Sequence, residues 1–124
     1  MSGIEYSETH EFSKDFKKLL KKFKSLNEDL ELAKRAAIEL YHVRGLDNAS
    51  VFEIPGYGAA GIKIFKLKKF ACKALKGAGN RSGIRVIYAF HEGNCRVEFI
   101  EIYFKGDKEK EDRERIREYV RGCG

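Results

Sequence analysis

The spacing of apolar residues changes once along this chain of 124 residues, and that change limits the folds open to it. From residue 16 to residue 41, apolar side chains recur every three or four positions, which is the period of an amphipathic helix. From Ile62 to Phe104 they recur mainly at every second position, which is the period of a strand with one buried face. Helices followed by a run of strands predict an α+β domain.

Two helices are predicted before the main run of strands. Ser13 is the expected N-cap of the first, because its hydroxyl can accept a hydrogen bond from an early backbone N–H. The capping-box pattern "SLNE" at residues 25–28 predicts the start of the second. The apolar stripes are Phe16, Leu19, Leu20 and Phe23 in the first helix, and Leu30, Ala33, Ala37, Leu40 and Tyr41 in the second. A few residues join the two helices, so we expect an antiparallel hairpin.

Four strands are predicted, and the first of them, within residues 4–11, precedes the helices. The doubled lysine at 68 and 69 interrupts the strand that begins at Ile62, so this strand should end or bulge there. One face of the next strand is formed by Ile84, Val86, Tyr88 and Phe90. The last strand, "RVEFIEIYF", alternates incompletely, which predicts a central strand with both faces covered.

A charged final helix completes the predicted order, with Asp107 as its cap and a narrow apolar stripe of Ile116, Tyr119 and Val120. Residues 1–124 then form a single domain, in which an N-terminal helical hairpin packs on a small antiparallel-rich sheet and a helix follows at the C-terminus. Three scattered cysteines without a CxxC pair, and an N-terminus without an apolar run, predict a cytoplasmic protein. No stretch is apolar over the length of a membrane span.

Positive charge is concentrated in one segment of the chain. Between Glu53 and Glu92 there is no acidic residue, whereas eight of the 25 basic residues lie there, which leaves 17 basic and 19 acidic residues for the rest. These eight are Lys63, Lys66, Lys68, Lys69, Lys73, Lys76, Arg81 and Arg85. Such asymmetry predicts a polyanionic partner. The alternative is a solvated basic edge that protects a sheet from aggregation.

Arg85 is predicted on the strand face opposite to Ile84. With Lys66 and Lys68 on a neighbouring strand, it would present several cations on one face of the sheet. Such a face suits a phosphodiester, because arginine donates two parallel hydrogen bonds to a phosphate group.

Two tyrosines favour RNA binding by that sheet face, whereas two glutamates favour a structural role for Arg85. Tyr88 and Tyr103 are candidate rings for base stacking. Glu98 and Glu101 on the last strand offer Arg85 an ion pair instead, which would make it a structural residue. The sequence leaves both roles of Arg85 open.

Several chemistries have no signature in the sequence. "GAGNRSG" at residues 77–83 lacks the spacing and the strand-then-helix context of a phosphate-binding loop. No arrangement of a nucleophile with a histidine can be placed, and His10, His42 and His91 stand apart. We therefore predict no metal and no small-molecule cofactor.

Residues 82–120 resemble the C-terminal half of the RelE/ParE toxin superfamily. The shared marks are Ser82, Gly83 and Arg85 at the entry to a strand, Tyr88 in the same strand, a short hairpin, an apolar strand, and Lys105 just after it. The resemblance implies a toxin of a bacterial or archaeal toxin–antitoxin module. RelE-like members cut mRNA in the ribosomal A site without a metal, whereas ParE-like members poison DNA gyrase.

The resemblance also implies residue roles. Arg85 matches the strand arginine that contacts the scissile phosphate, Lys66 and Lys68 match a basic pair on the preceding strand, and Lys105 matches a cation after the last strand. Because the link from the pair to Arg85 is longer than usual in RelE-like members, Lys73, Lys76 or Arg81 are alternatives for the pair. Where such members often have a tyrosine or histidine as acid, this chain has carboxylates, and Tyr119 lies far along the helix.

Three functions are compatible with these expectations. The first is a ribosome-dependent mRNA endoribonuclease, in which four cations stabilise the transition state: Arg85, Lys66, Lys68 and Lys105. The residues expected to bind RNA in it are Lys63, Lys69, Lys73, Lys76, Arg81, Tyr88 and Tyr103. Its expected partners are an antitoxin, the ribosome and mRNA. The alternatives are a gyrase inhibitor and a basic RNA-binding domain without catalytic activity.

Overall fold

A computed structural model describes residues 3–79 and 81–123 of the chain. The elements, in chain order, are β1 (Glu5–Glu8), α1 (His10–Lys22), α2 (Leu26–Ala33), a π-helical stretch (Lys34–Glu39), α3 (Leu40–His42), β2 (Val51–Glu53), β3 (Ile62–Leu67), β4 (Ile84–His91), β5 (Arg96–Phe104) and α4 (Arg113–Cys123). The α+β class is confirmed, as are the N-terminal helices and the C-terminal helix. No helix within these ranges has both the length and the apolar character needed to cross a bilayer.

Within the described residues, five strands form one sheet in the order β1-β5-β4-β3-β2. β1 runs parallel to β5, and the other pairs are antiparallel. The last strand in the chain, β5, therefore has a neighbour on each side, as its incomplete alternation predicted. β3 ends at Leu67, immediately before the doubled lysine, which confirms that the sequence change marks a strand end.

The edge strand β2 was not expected from the sequence. It has only three residues, too few for a period of two to be recognised, and it is held by antiparallel pairing of Val51 with Leu67 and of Glu53 with Phe65. The region between the helices and β3 is therefore not loop throughout. This strand brings Phe52 opposite Lys66, at the edge of the sheet.

The sheet is covered on both faces, and the larger core lies under α1 and α2. There Phe12 and Leu26 of the helices pack with Ile84, Val86 and Tyr88 of β4, and Phe90 packs against the same cluster. The predicted apolar face of this strand is confirmed. On the second face α4 contributes Ile116, which packs with Ile64, Ile87, Ala89, Ile100 and Tyr103.

The start of α1 differs from the expected one, whereas α2 starts at the predicted place without the predicted capping bond. α1 begins at His10, and its cap is Thr9, whose Oγ1 accepts from the Phe12 N–H at 3.1 Å, so the predicted cap Ser13 lies inside the helix. At the start of α2, Ser25 makes no side-chain capping bond. Its hydroxyl instead donates to Asp29 and accepts from the Ala74 N–H, which ties the helix to a distant loop.

The final helix begins later than expected. Asp107 lies in a turn after β5, and α4 starts only at Arg113, where Asp112 accepts from the Arg115 N–H at 3.1 Å. Residues 105–112 thus form a non-helical segment, which we call the connecting segment. Because it crosses the second face of the sheet, its side chains reach residues of β3 and β5.

Candidate nucleic-acid interface

An open cleft of about 440 Å³ lies at the end of the sheet where β3 ends and β4 begins. We call it the basic cleft. It is lined by Phe52, Lys68, Lys69, Arg81, Gly83, Arg85 and Lys105. Five of these residues are cations, and no carboxylate lines the cleft among the described residues. Such an unbalanced lining favours an anionic ligand.

The loop between β3 and β4 is closed by contacts that bring its two ends together. Phe70 forms an isolated bridge with Arg81, and the buried Ser82 hydroxyl donates to the Phe70 carbonyl and accepts from the Ile84 N–H. Lys68 and Lys69 are therefore held beside Arg81, although Ser82 lies twelve positions after Phe70 in the chain.

Gly83 and the turn after β5 set the opposite wall of the cleft. Gly83 has a φ of +83°, a conformation that favours glycine, and its carbonyl accepts from the Lys105 N–H at 2.8 Å. A side chain at position 83 would also lie 3.4 Å from the Phe104 ring. The small residue before β4 thus allows Lys105 to lie against the strand that carries Arg85.

Arg85 has backbone oxygens rather than a carboxylate as its partners. Its Nη1 donates to the Lys68 carbonyl at 2.9 Å and to the Ile84 carbonyl at 3.4 Å. Among residues 3–79 and 81–123, no carboxylate lies within ion-pair distance of Arg85. The alternative of an ion pair with Glu98 or Glu101 is wrong, because the first pairs with Arg96 and the second with Lys108.

Phe52 supplies the aromatic surface of the cleft, and sequence reasoning missed it. Its side chain is 40% exposed, and the Lys68 ammonium lies 4.8 Å from its ring centroid. An exposed ring beside cations can stack on a base while the cations bind the phosphate. The local sequence contains no signal for this role, because Phe52 is a single apolar residue followed directly by Glu53.

Lys66 does not line the basic cleft. Its ammonium forms an ion pair with Glu111 of the connecting segment at 2.7 Å, and the two side chains are only 18% and 9% exposed. Burial lowers the pKa of Lys66, but hydrogen bonds with Glu111 and Tyr103 outweigh burial and raise the pKa above its usual value. The raised pKa keeps Lys66 protonated, which suits a structural ion pair and not a general base.

The two tyrosines predicted to stack on bases are covered. Tyr88 is fully buried under the helices, where its hydroxyl is 2.8 Å from Nε2 of His42, so the prediction that it stacks is wrong. Its place beside Ile84 and Val86 on the apolar face is the physical reason. Tyr103 is 5% exposed, with the ammonium groups of Lys66 and Lys108 near its ring, so no base can reach it in this conformation.

The remaining predicted cations lie away from the cleft. Lys63 pairs with Glu92 at 3.7 Å and Lys73 with Glu28 at 3.2 Å, both in exposed positions, and Lys76 is exposed in the loop before β4. The structure thus brings together Lys68, Arg85 and Lys105 of the four catalytic candidates. From the binding candidates it adds Lys69 and Arg81.

Tyr119 lies at the opposite end of the sheet from the basic cleft. Its hydroxyl is 2.7 Å from Nε2 of His91 and donates to Glu98 at 2.6 Å. His91 ends β4 whereas Arg85 lies near its start, a separation of about 20 Å along the strand. Tyr119 is therefore not an acid for chemistry in the cleft.

The fold and the cleft define an α+β domain with a basic groove suited to an anion at one end of its sheet. Residues 3–79 and 81–123 contain no group of three or more His, Cys, Asp or Glu side chains that could hold a metal ion. No protein-family model matches the chain, and no curated protein sequence matches it. A similar solved structure is the archaeal RelE–RelB complex from Pyrococcus horikoshii OT3. The match has a TM-score of 0.49 and 10% sequence identity, and it covers 84% of this chain and 97% of that chain.

Proposed function

We propose that the chain is a RelE-like toxin, a metal-independent endoribonuclease that cuts mRNA on the ribosome. The observation that carries the proposal is the convergence of five cations on one cleft, in which Arg85 has no carboxylate partner among the described residues. The order of motifs in residues 82–120, which resembles the RelE/ParE superfamily, supports the same function.

The reaction is an intramolecular transfer. The ribose 2′-oxygen attacks the adjacent phosphorus, a phosphorane forms, and the bond from phosphorus to the 5′-oxygen breaks. Negative charge accumulates on the phosphorane oxygens, where the cations Arg85, Lys68 and Lys105 stabilise it most. The lysines are the side chains of the cleft that can exchange a proton, so they are the candidates for removing the 2′-proton and protonating the 5′-oxygen.

The proposed protein acts in the cytoplasm and needs no small-molecule cofactor. Its partners are the ribosome, mRNA and an antitoxin that silences it. An acidic segment of the antitoxin would occupy the basic cleft, because the cleft cations are the ones that RNA must reach. Binding of the antitoxin would then exclude the substrate by competition.

The test compares growth after induced expression of the wild type, Arg85→Ala and Lys76→Ala. Lys76 is an exposed cation outside the cleft, so its variant controls for the loss of one charge. We expect cleavage within codons of a translated reporter mRNA, detected by primer extension, for the wild type and Lys76→Ala only. Cleavage by folded Arg85→Ala at the wild-type rate would contradict the proposal.

A second candidate function is supported by what the cleft lacks. None of the described residues that line it is a histidine, tyrosine or carboxylate, and Lys66 is held by Glu111. A gyrase inhibitor or a non-catalytic RNA-binding domain needs no acid or base. Toxicity with intact mRNA and an induced DNA-damage response would favour gyrase inhibition, and binding to translating ribosomes without cleavage would favour the binding domain.

A further inference from the structure

The outer face of α1 carries a row of lysines that the basic cleft does not use. All are exposed: Lys14, Lys17, Lys18, Lys21, Lys22 and, just after the helix, Lys24. The opposite face of the same helix is buried through Phe12 and Leu19. The helix is thus held to the sheet by its apolar side, and its other side is left to solvent or to a partner.

These lysines are almost without counter-charges. Within the part of the chain that the structure describes, only Lys22 among them has an ion pair, with Asp107 at 3.4 Å. Like charges three or four positions apart destabilise a helix by about 0.2–0.5 kcal/mol per pair. The helix dipole favours cations only in the last turn, which accounts for Lys21 and Lys22 but not for Lys14 and Lys17.

The lysine row meets the basic cleft at the end of the sheet. The Lys22 ammonium lies 4.6 Å from the ring centroid of Phe104. The Cδ1 and Cε1 atoms of the same ring lie close to Gly83, which lines the cleft, and Lys105 follows Phe104 directly in the chain. The cations of the cleft and those of α1 are therefore neighbours on either side of Phe104, and Asp107, which pairs with Lys22, is the carboxylate between them.

The chemistry of this face suits nucleic acid better than protein. Protein interfaces have apolar or aromatic anchors at their centre and are depleted in lysine. The large exposed apolar side chains of the described residues are Leu32, Val43, Leu46 and Phe52, and none of them is on α1. A phosphate backbone, in contrast, needs only cations repeated along its path, and the helix presents lysines at each successive turn of 5.4 Å.

We propose that the lysine face of α1 binds the sugar–phosphate backbone of RNA outside the basic cleft, as a second contact surface that does not read sequence. The choice of RNA as the polymer rests on the proposed function of the cleft. Each phosphate neutralised by a lysine contributes about 0.7 to the slope of log affinity against log salt for a single strand. The surface therefore strengthens binding of long RNAs and leaves the chemistry of the cleft unchanged.

The test uses single-stranded RNA with 2′-O-methyl riboses, which cannot be cleaved because the attacking hydroxyl is blocked. One RNA is short enough to fill only the cleft, and the other extends beyond it. The variant Lys14→Gln/Lys17→Gln/Lys21→Gln is compared with Lys76→Gln/Lys110→Gln/Arg121→Gln, which removes the same charge at exposed positions elsewhere. Circular dichroism checks that both stay folded.

For the long RNA, we expect the α1 variant to lower the salt slope by about 2 relative to the control variant. For the short RNA the two variants should not differ. Equal slopes on the long RNA would overturn the proposal. So would an α1 variant that keeps its RNA affinity but loses binding to polyglutamate, because an acidic protein would then be the occupant.

Failure of this proposal is distinct from failure of the proposed function. Ribosome-dependent cleavage that needs Arg85, together with equal salt slopes, would retain the nuclease and reject the second surface. If the α1 variant lowered the salt slope of RNA binding but the wild type never cleaved mRNA, the second RNA surface would be retained and the nuclease function rejected.

Discussion

The strands β4 and β5 carry one arginine at each end of the same sheet face, and the two differ in their partners. Arg96, at the end where β5 begins, donates to Glu98 at 3.0 Å and to Ser7 at 3.1 Å, and Glu98 is also bonded by Tyr119. Arg85, at the cleft end, donates only to carbonyl oxygens in the described structure. The hydrogen-bonded group of Arg96, Glu98, Tyr119 and His91, which we call the Arg96 network, gives Arg96 a structural role. Arg85 is held in place by carbonyl oxygens without a counter-ion, so its charge is available to a ligand.

The largest expected effect is that substitution of Arg85 lowers activity, whereas substitution of Arg96 lowers stability. Arg85→Ala should lower the cleavage rate by at least 100-fold, because it removes transition-state charge stabilisation. Arg96→Ala should leave the rate unchanged and lower the free energy of unfolding by about 1.5–3 kcal/mol, the range for hydrogen bonds to a charged group. Urea unfolding and the primer-extension assay measure the two quantities. Loss of activity in folded Arg96→Ala would remove the contrast.

Phe52 tests whether the cleft end also binds a base. Phe52→Ala should weaken binding of single-stranded RNA by about 1–3 kcal/mol, since one stacking contact is lost. Phe52→Tyr, which keeps the ring, should bind as the wild type does. Fluorescence anisotropy with uncleavable RNA gives both affinities. An equal loss in the two variants would show that the ring does not act by stacking.

Tyr119 tests whether the hydrogen bonds around Arg96, at the end of the sheet opposite to the cleft, stabilise the fold. Tyr119→Phe keeps the ring but removes the hydroxyl that bonds Glu98 and His91, so it should cost about 1–2 kcal/mol of stability. Cleavage should not change. Tyr57→Phe, at a tyrosine that makes no hydroxyl bond among the described contacts, is the matched control and should be neutral.

The smallest effects are those of pH. Burial raises the pKa of Glu98, but hydrogen bonds from Tyr119 and Arg96 outweigh it, so the net pKa is lowered. A carboxyl whose pKa is lower in the folded state stabilises the fold above its unfolded pKa, and this stabilisation is lost as the pH falls through the folded pKa. The urea midpoint should therefore decrease below about pH 4.5, and Glu98→Gln should reduce that decrease. An unchanged acid profile in Glu98→Gln would contradict the role given to the network.

The pKa of His91 is a second measure of the interactions around Arg96, and it can be determined close to neutral pH. Burial and the charge of Arg96 lower its pKa, although Glu98 acts in the opposite direction. NMR titration should place the pKa of His91 below its ordinary value, and Arg96→Ala should raise it. A lower pKa of His91 in the variant would show that the charge of Arg96 does not lower it.

The period of apolar residues was enough to predict the layers of the fold and the side of β4 on which Arg85 lies. The same alternation placed Tyr88 on the apolar face with Ile84 and Val86. The pattern that put Arg85 on the opposite face therefore also predicted that Tyr88 is buried. Helix starts were less predictable, because Thr9 and Ser13 are equally good caps in isolation and only the end of β1 at Glu8 selects between them.

The parts of the site that the sequence did not indicate depend on contacts between distant residues. Glu111 pairs with Lys66 across 45 positions, which requires that the final helix begin late and that residues 105–112 cross the sheet. Phe52 enters the cleft through a strand of three residues that exists only because β3 is beside it. Neither local propensity nor periodicity contains such information.

The pairing of β1 with β5 determines the order in which a newly made chain can fold. Residues 5–8 are synthesised before their partners, residues 96–99, and β5 is also the neighbour of β4. The backbone groups of β1 that face β5 therefore stay unpaired until β5 has been synthesised. The basic cleft has the same dependence, because its lining includes Lys105, which follows β5 in the chain, so the cleft cannot be complete before β5 has been made.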